Sequence, residues 1–370
     1  MIIIIGAGPV GCFLGGILAK AGKEVAVYEE HSSVGEPVQC TGIVTEELGK
    51  IIKLDEKFIV NRVEKVRVYS KNRKVEIPIR DVVLDRAKFD RYLAEKAQEY
   101  GANIYLEHKF LGIRGNNAVL ADKNNNIVKV EAEAIIGADG PLSDVAKANL
   151  MFGNKKFYFG IQARIKGEFE EKCYEVYFGS ICPGFFAWIL PESKKVARVG
   201  VAAKNNTKDV FKRFLSVKGI EDKQIIDFQA GLIPIFDKND IQKGNVYLVG
   251  DAAGHVKATT GGGLVYGLKA AKKLADCILN RRDYKKELKK LEKELWIHLK
   301  LRRMLDKFSD KDYNKLLKLM GDRKIKSILE EENRDKPGKV VFKAILAKPS
   351  FLQYIMKIFD FQDAKNAKHF

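Results

Sequence analysis

The sequence has few cysteines, and they are not arranged to hold a disulfide framework or a structural metal. Its 370 residues contain five cysteines at scattered positions, and no Cys-x-x-Cys pair is among them. This pattern argues against both kinds of site and favours a cytoplasmic protein. Nucleic-acid-binding motifs, internal repeats and low-complexity runs are also missing. What remains is a globular composition, with 46% hydrophobic and 31% charged residues.

Long uncharged runs are rare as well. Residues 2–19 form the one run that could be mistaken for a signal peptide or a membrane span, but no basic region precedes it and it contains five glycines and a proline. We therefore predict no transmembrane helix and no resident metal. The formal net charge of +18 has two interpretations: a solvated, lysine-rich surface, or attraction to phosphate groups of an anionic membrane. No nucleic-acid partner is expected.

The N-terminus carries a dinucleotide-binding pattern. Four isoleucines predict a central parallel strand, and the turn after them fits G-x-G-x-x-G with Gly6, Ala7, Gly8, Pro9, Val10 and Gly11. A helix that follows such a turn directs its free N–H groups at a pyrophosphate. The next strand ends in Glu29, whose carboxylate can accept hydrogen bonds from a ribose hydroxyl. This pattern favours FAD or NAD over NADP.

Two later motifs favour a flavin. One strand ends in Asp139 and Gly140, and another ends in Gly250 and Asp251 ahead of a glycine run. An acidic side chain suits the ribityl hydroxyls. The flavin ring needs close backbone and a helix N-terminus near N1 and O2, where negative charge gathers on reduction. The glycines that would supply that contact are Gly261, Gly262 and Gly263. The predicted cofactor is FAD.

Together these motifs resemble the p-hydroxybenzoate-hydroxylase-like FAD enzymes over residues 1–285. The segment that begins at Arg86 resembles the family's R-x-x-F-D-x-x-L pattern, in which the arginine contacts the phosphate side of the flavin. The resemblance implies an α/β fold with a Rossmann-like FAD-binding domain, an inserted antiparallel-sheet substrate domain and a helical C-terminal region. The expected boundaries are 1–44, 81–155 and 238–285 for the FAD domain, 45–80 and 156–237 for the substrate domain, and 286–370 for the helices.

Two stretches resemble the geranylgeranyl reductase branch of that class. Residues 185–202 follow its aromatic pattern with Phe186, Trp188 and Pro191, although Leu190 and Ala202 depart from it. An aromatic, apolar wall suits a prenyl chain, because each buried CH₂ contributes about 0.8 kcal/mol. The stretch PVQCTG resembles the cysteine loop of archaeal members. In them the loop runs along the flavin, so Cys40 is the expected catalytic residue.

The resemblance implies an FAD-dependent reductase that saturates C=C bonds of geranylgeranyl chains, for example in archaeal-type membrane phospholipid precursors. The electron donor would be NAD(P)H, a ferredoxin or another reductase. Two alternatives stay open, namely an FAD monooxygenase for an aromatic or other apolar substrate, and a flavoprotein that binds prenyl lipid or relays electrons without turnover. Further cofactor contacts implied by the resemblance are Glu30, Cys40, Thr41, Phe110 and Leu264.

The C-terminal part is predicted to be helical. Tyr284, Leu288, Leu291 and Leu295 repeat at helical spacing. Residues 340–361 are apolar with spaced lysines and are interrupted by Pro349. This segment has two interpretations: a helix pair packed on the FAD domain, or a peripheral contact with the inner face of the membrane.

Overall fold

The computed structural model of the protein describes residues 1–332 and 334–351. Its strands are β1 Ile2–Ile5, β2 Val25–Tyr28, β3 Ile43–Thr45, β4 Ile59–Ser70, β5 Arg73–Leu84, β6 Asn103–Tyr105, β7 Lys109–Arg114, β8 Asn117–Ala121, β9 Ile127–Glu131, β10 Ala134–Gly137, β11 Phe157–Lys166, β12 Cys173–Tyr177, β13 Phe186–Pro191, β14 Val196–Ala203, β15 Ile225–Pro234, β16 Gln242–Lys243 and β17 Val246–Leu248. Its α-helices are α1 Pro9–Lys20, α2 Arg86–Glu99, α3 Asp144–Ala148, α4 Thr207–Val217, α5 Leu264–Asn280, α6 Tyr284–Leu305, α7 Asp310–Met320, α8 Arg323–Glu331 and α9 Pro337–Ala347.

The chain divides into two compact units, and each is assembled from three segments. The first contains Met1–Val60, Val82–Tyr158 and Gln229–Leu295, and the second contains Asn61–Asp81, Phe159–Phe228 and the described residues from Trp296 on. The helices after Trp296 thus group with the sheet of the second unit, whereas residues 286–370 were predicted to form a region of their own. One polar contact within this unit is the hydrogen bond that Ser70 of β4 donates to Asn314 of α7 at 2.6 Å.

The first unit is built on a largely parallel sheet in the order β16, β17, β10, β1, β2, β6. β1 pairs in parallel with both β10 and β2. This central position explains its four buried isoleucines, since a strand covered on both faces has no polar side. Helix α1 packs against α2 and α5. A small antiparallel sheet, β7-β8-β9, completes the unit and places Phe110 in the main apolar core.

The second unit contains a mixed sheet with the strand order β15, β11, β14, β13, β12, β4, β5. β13 pairs antiparallel with β12 and β14, and β12 pairs in parallel with β4. Ala187 and Ile189 of β13 belong to the same core cluster as Phe211 and Phe214 of α4. Because side chains alternate along a strand, Trp188 lies on the face opposite α4.

The C-terminal helices follow the predicted pattern as far as the structure describes them. Tyr284, Leu288 and Leu295 of α6 are fully buried, and Leu291 packs beside them. Helix α9 ends at Ala347, two residues before Pro349, and residues 352–361 of the apolar segment lie outside the described residues. Among residues 1–332 and 334–351, no helix combines the length and the hydropathy needed to cross a bilayer.

Candidate functional site

The G-x-G-x-x-G turn joins β1 to α1 by close backbone contacts. A Cβ atom on Gly11 would lie 2.1 Å from the carbonyl oxygen of Gly6, so no other residue fits there. Gly8 is the N-cap residue of the helix and has no side chain to cap its first N–H groups. A Cβ on Gly8 would meet no atom within 4 Å. The turn therefore presents free N–H groups and open space at the positive end of α1.

Glu29 lies beside this turn, as its position at the end of β2 predicts. Its Oε2 accepts a hydrogen bond from the Ala7 N–H at 2.8 Å. Its Oε1 accepts one from the His31 N–H at 3.1 Å. The carboxylate is thus fixed next to the glycine turn, where a ribose would follow a pyrophosphate. Its neighbour Glu30 is exposed.

Asp139 follows β10 and is half-buried at the same end of the parallel sheet. Its Oδ2 accepts the Val145 N–H at 3.0 Å, whereas Oδ1 has no partner among the described residues. Burial raises the pKa of Asp139, and hydrogen bonds from Ser143 and Val145 oppose that rise. An orphaned buried acceptor is costly, which indicates a site for a donor outside the chain.

Asp251 and Lys155 form the second charged part of the site. Burial raises the pKa of the Asp251 carboxyl, and Arg86 and Lys155 counteract it. Burial lowers the pKa of Lys155 to about 8, although Asp139 and Asp251 support its charge. Lys155 Nζ donates to the Ala252 carbonyl at 2.6 Å. The two aspartates that the sequence singled out therefore share one buried lysine.

The glycine run precedes α5. Asp251 Oδ1 lies 2.8 Å from the place where a Cβ on Gly263 would be, so a side chain there would strike the carboxylate. The first turn of α5 contains no acidic residue, and Leu264 is its first residue. The run thus brings bare backbone close to Asp251 at the positive end of a 17-residue helix.

Cys40 lies in the irregular stretch between β2 and β3 and is exposed. Its Sγ accepts the Gly42 N–H at 3.4 Å and interacts electrostatically with the Arg86 side chain. Arg86 also forms a bidentate salt bridge with Asp90, in which Nε donates to Oδ1 at 3.0 Å and Nη2 donates to Oδ2 at 2.9 Å. Burial disfavours the charge of Arg86, but Asp90 and Cys40 raise its pKa above the ordinary value. The thiol thus faces a permanent cation.

These residues fit an FAD. Open space at Gly8, uncapped N–H groups on α1 and the orphaned Oδ1 of Asp139 are the features that a pyrophosphate and a polar chain would satisfy. Cys40 and Asp251 both interact with Arg86, so the structure brings three predicted residues together. Thr41 adjoins Cys40, while Phe110 is a core residue at 6% exposure. Their contacts with the cofactor stay a prediction.

In the second unit, Trp188 stands over a glycine. Its indole N–H donates to Gln162 Oε1 at 3.2 Å, and Phe186 packs edge-on against it at 5.8 Å. Gly200 of β14 pairs with Trp188 of β13. A Cβ on Gly200 would lie 2.4 Å from the indole ring of Trp188. Gly200 is therefore needed for this packing. Because side chains alternate along β13, Pro191 lies on the opposite face from Trp188, which is the α4 side of the sheet.

Sequence reasoning missed Lys155 and His255. Lys155 belongs to an ordinary lysine-rich stretch, so nothing local distinguishes it. His255 directly follows the G-D-A-A-G motif, and this proximity was an available signal. It is 1% exposed, and neither ring nitrogen has a hydrogen-bond partner among the described residues.

His255 should make the protein sensitive to acid. Burial, helped by Lys155, lowers the pKa of His255 from 6.5 to about 3. Between these two pH values, His255 is protonated in the unfolded chain but not in the folded chain. The free energy of unfolding should therefore fall as the pH drops from about 6.5 to 3, by at most about 1.4 kcal/mol per pH unit.

Urea titrations at pH 7, 6, 5 and 4, in one cofactor state, measure this dependence. His255→Asn should flatten it, while His108→Asn, a change of the same type at a half-buried site of the same unit, should leave it as in the wild type. Equal slopes for wild type and His255→Asn would contradict the assignment.

Comparisons with known proteins support an FAD-binding domain in this chain. An FAD binding domain family model matches residues 1–158. The chain is 30% identical to digeranylgeranylglycerophospholipid reductase 3 of Methanosphaera stadtmanae, over 77% of this chain and 79% of that protein. It is 28% identical to the digeranylgeranylglycerophospholipid reductase of Thermoplasma acidophilum, over 89% and 93% of the two chains.

Solved structures show the same fold. A geranylgeranyl bacteriochlorophyll reductase-like protein from Thermoplasma acidophilum superposes with a TM-score of 0.81 at 24% identity, covering 97% of this chain and 98% of that one. The flavin-dependent brominase Bmp2 superposes with a TM-score of 0.70 at 16% identity, over 88% and 91%. The fold is thus shared by different chemistries, and the sequence relatives are more informative. By its relatedness to the Methanosphaera enzyme, the chain belongs to the digeranylgeranylglycerophospholipid reductase family.

Proposed function

We propose that this protein is an FAD-dependent reductase that saturates C=C bonds in the geranylgeranyl chains of an archaeal-type phospholipid precursor. The observation that carries the proposal is the exposed thiol of Cys40, which lies near the Arg86 guanidinium in the unit that holds the predicted FAD residues. Hydroxylation needs no such thiol, whereas reduction of an alkene needs a proton donor.

Each group in the site has a role in this reaction. When bound, reduced FAD supplies two electrons and one proton to the double bond. Cys40 Sγ gives the second proton to the other carbon, so the C=C bond becomes CH–CH. Arg86 and the Gly42 N–H would position the Cys40 side chain for this transfer. Because Cys40 is exposed, the thiolate can recover its proton from solvent.

Residues of the first unit would hold the cofactor. The N–H groups at Gly8 and the start of α1 would bind the pyrophosphate, and Glu29 the ribose. Asp251 would bind the ribityl chain, and Gly261 to Gly263 would lie against the ring. Lys155 keeps Asp251 in place by balancing its buried charge.

Trp188 would line the prenyl site, since it lies on the sheet face opposite α4. Trp188→Ala should weaken binding of a geranylgeranyl lipid about tenfold, the loss expected when nearly two CH₂ groups lose their burial. Titration of a detergent-dispersed lipid measures the dissociation constant. Ile189→Ala is the matched control, because Ile189 is equally buried on the opposite face. Equal affinities of the two variants would make Trp188 a structural residue.

The electrons would come from a separate donor that binds transiently. The sequence contains one dinucleotide fingerprint, and FAD would occupy it. NAD(P)H, a ferredoxin and another reductase are the three candidates. Mixing the oxidised holoprotein anaerobically with each and following the loss of flavin absorbance identifies the donor class.

A lipid substrate also suggests contact with the bilayer, and α9 offers a surface for it. Phe342 and Leu346, one turn apart, are 62% and 68% exposed. Lys339 and Lys343 flank Phe342, pair with Glu332 and can also meet lipid phosphates.

The double change of Phe342 and Leu346 to serine should reduce binding to anionic vesicles several-fold in a sedimentation assay. Phe228→Ser, at 64% exposure in the same unit, is the control and should bind as the wild type does. Undiminished binding by the double variant would remove α9 from the contact.

The central experiment uses the purified holoprotein. It is reduced with dithionite without oxygen and given a geranylgeranyl phospholipid, while flavin absorbance and lipid mass are followed. We expect reoxidation and a gain of two mass units per event, and no reaction with the saturated lipid. Reoxidation only on admission of oxygen would favour the monooxygenase if the lipid gains oxygen, and an electron-relay flavoprotein if the lipid is unchanged.

A further inference from the structure

The loop between the 3₁₀ turn Gly250–Ala253 and α5 folds back on itself and buries a lysine. The N–H of Lys257 donates to the Gly262 carbonyl at 3.2 Å, and the Gly261 N–H donates to the Lys257 carbonyl at 2.8 Å. The side chain of Lys257 lies over the glycine run. A Cβ on Gly262 would lie 3.0 Å from Lys257 Cε and 3.4 Å from Nζ. Lys257 is only 6% exposed, so its ammonium group is held beside Gly262.

Several features of this loop indicate that it faces a ligand. His255, two residues earlier, is fully buried, and both of its ring nitrogens lack partners within the described residues. The first turn of α5 has no acidic residue to oppose its positive end. Asp251 is the nearby carboxylate, and Lys155 and Arg86 already offset its charge. Lys257 is a further basic side chain at this end of the site.

We propose that Lys257 adjusts the redox potential of the bound flavin by placing its ammonium group near N1 and O2 of the ring. This inference rests on the proposed seat of the ring at Gly261 to Gly263. Addition of two electrons and one proton to the ring leaves one negative charge, which gathers at N1 and O2. A buried cation stabilises that charge more than a solvated one does, because water screens it less. Lys257 thus favours the reduced cofactor and makes the holoprotein easier to reduce.

Redox titration of the holoprotein tests this role. Lys257→Met should retain FAD but bind the reduced form about tenfold less tightly relative to the oxidised form, which lowers the midpoint potential by about 30 mV. The affinity for sulfite, which adds to the ring and leaves negative charge at N1 and O2, should fall by a similar factor. Lys257→Arg keeps the charge and should restore both values. Lys272→Met removes the same charge from an exposed site on α5 and should change neither.

An unchanged potential and sulfite affinity in Lys257→Met would overturn the proposal. The wild type gives a second test that needs no variant. Its midpoint potential should fall by about 30 mV per pH unit, the slope for one proton per two electrons, even below the pKa of N1 in free reduced flavin. A slope of about 59 mV there, for two protons, would overturn it. No lipid enters these measurements, so their failure is separate from failure of the proposed reductase activity.

Discussion

Replacement of Cys40 by alanine should slow prenyl reduction by about 10²–10⁴-fold, the usual contribution of a positioned acid. The cofactor should stay bound, because most residues that fit FAD lie elsewhere: in the turn between β1 and α1, after β2, after β10 and in the G-D-A-A-G turn. The measurement is a single turnover of dithionite-reduced protein with a geranylgeranyl phospholipid. Arg86 would lose its thiol partner but keep its pair with Asp90, so the local charge balance should survive.

Two further variants make this result specific. Cys40→Ser keeps the size of the side chain but provides a much weaker acid, so it should also be slow. Cys277→Ala removes a buried cysteine from α5 in the same unit and should react at the wild-type rate. If Cys40→Ala turns over at the wild-type rate, the proton must come from elsewhere, and the thiol is a neighbour of Arg86 without a chemical role.

Replacement of Asp251 by alanine should weaken FAD binding by roughly 10- to 150-fold. This range corresponds to the loss of a hydrogen bond to a charged group, about 1.5–3 kcal/mol. The change also removes one of the two carboxylates that support the charge of Lys155. We expect the protein to purify with little colour, and titration with FAD gives the dissociation constant.

A surface aspartate provides the comparison. Asp144→Ala changes an exposed carboxylate of α3 that pairs with Lys147 and should leave the protein yellow. Asp251→Asn keeps the shape and one acceptor oxygen, so its affinity should fall between those of the wild type and Asp251→Ala. Full FAD content in Asp251→Ala would remove Asp251 from the cofactor site.

The sequence predicted those parts of the first unit that depend on residues close together in the chain. The run of isoleucines became the central strand, and the glycine turn and Glu29 came together through the Ala7 N–H. These predictions succeeded because strand burial and tight turns restrict residue types within a few positions. Family membership and the FAD-binding domain are confirmed by the comparisons.

Contacts between distant segments could not be predicted in the same way. Lys155 meets Ala252 across 97 positions, and no local pattern distinguishes it from its lysine neighbours. The need for glycine at position 200 depends on Trp188 across the strand pair. The grouping of α7 with the antiparallel sheet depends on contacts such as Ser70 with Asn314. Each of these facts requires the pairing of segments, which one sequence does not contain.

The interleaving of the two units has a consequence for synthesis on the ribosome. The glycine turn leaves the ribosome before Asp251 and the start of α5, which belong to the third segment of the same unit, Gln229–Leu295. A nascent chain shorter than this would lack Asp251 and the glycine run. FAD capture should therefore come late in synthesis, and neither unit can be obtained by a single truncation. Fragments intended to hold cofactor would have to be permuted or joined by new linkers.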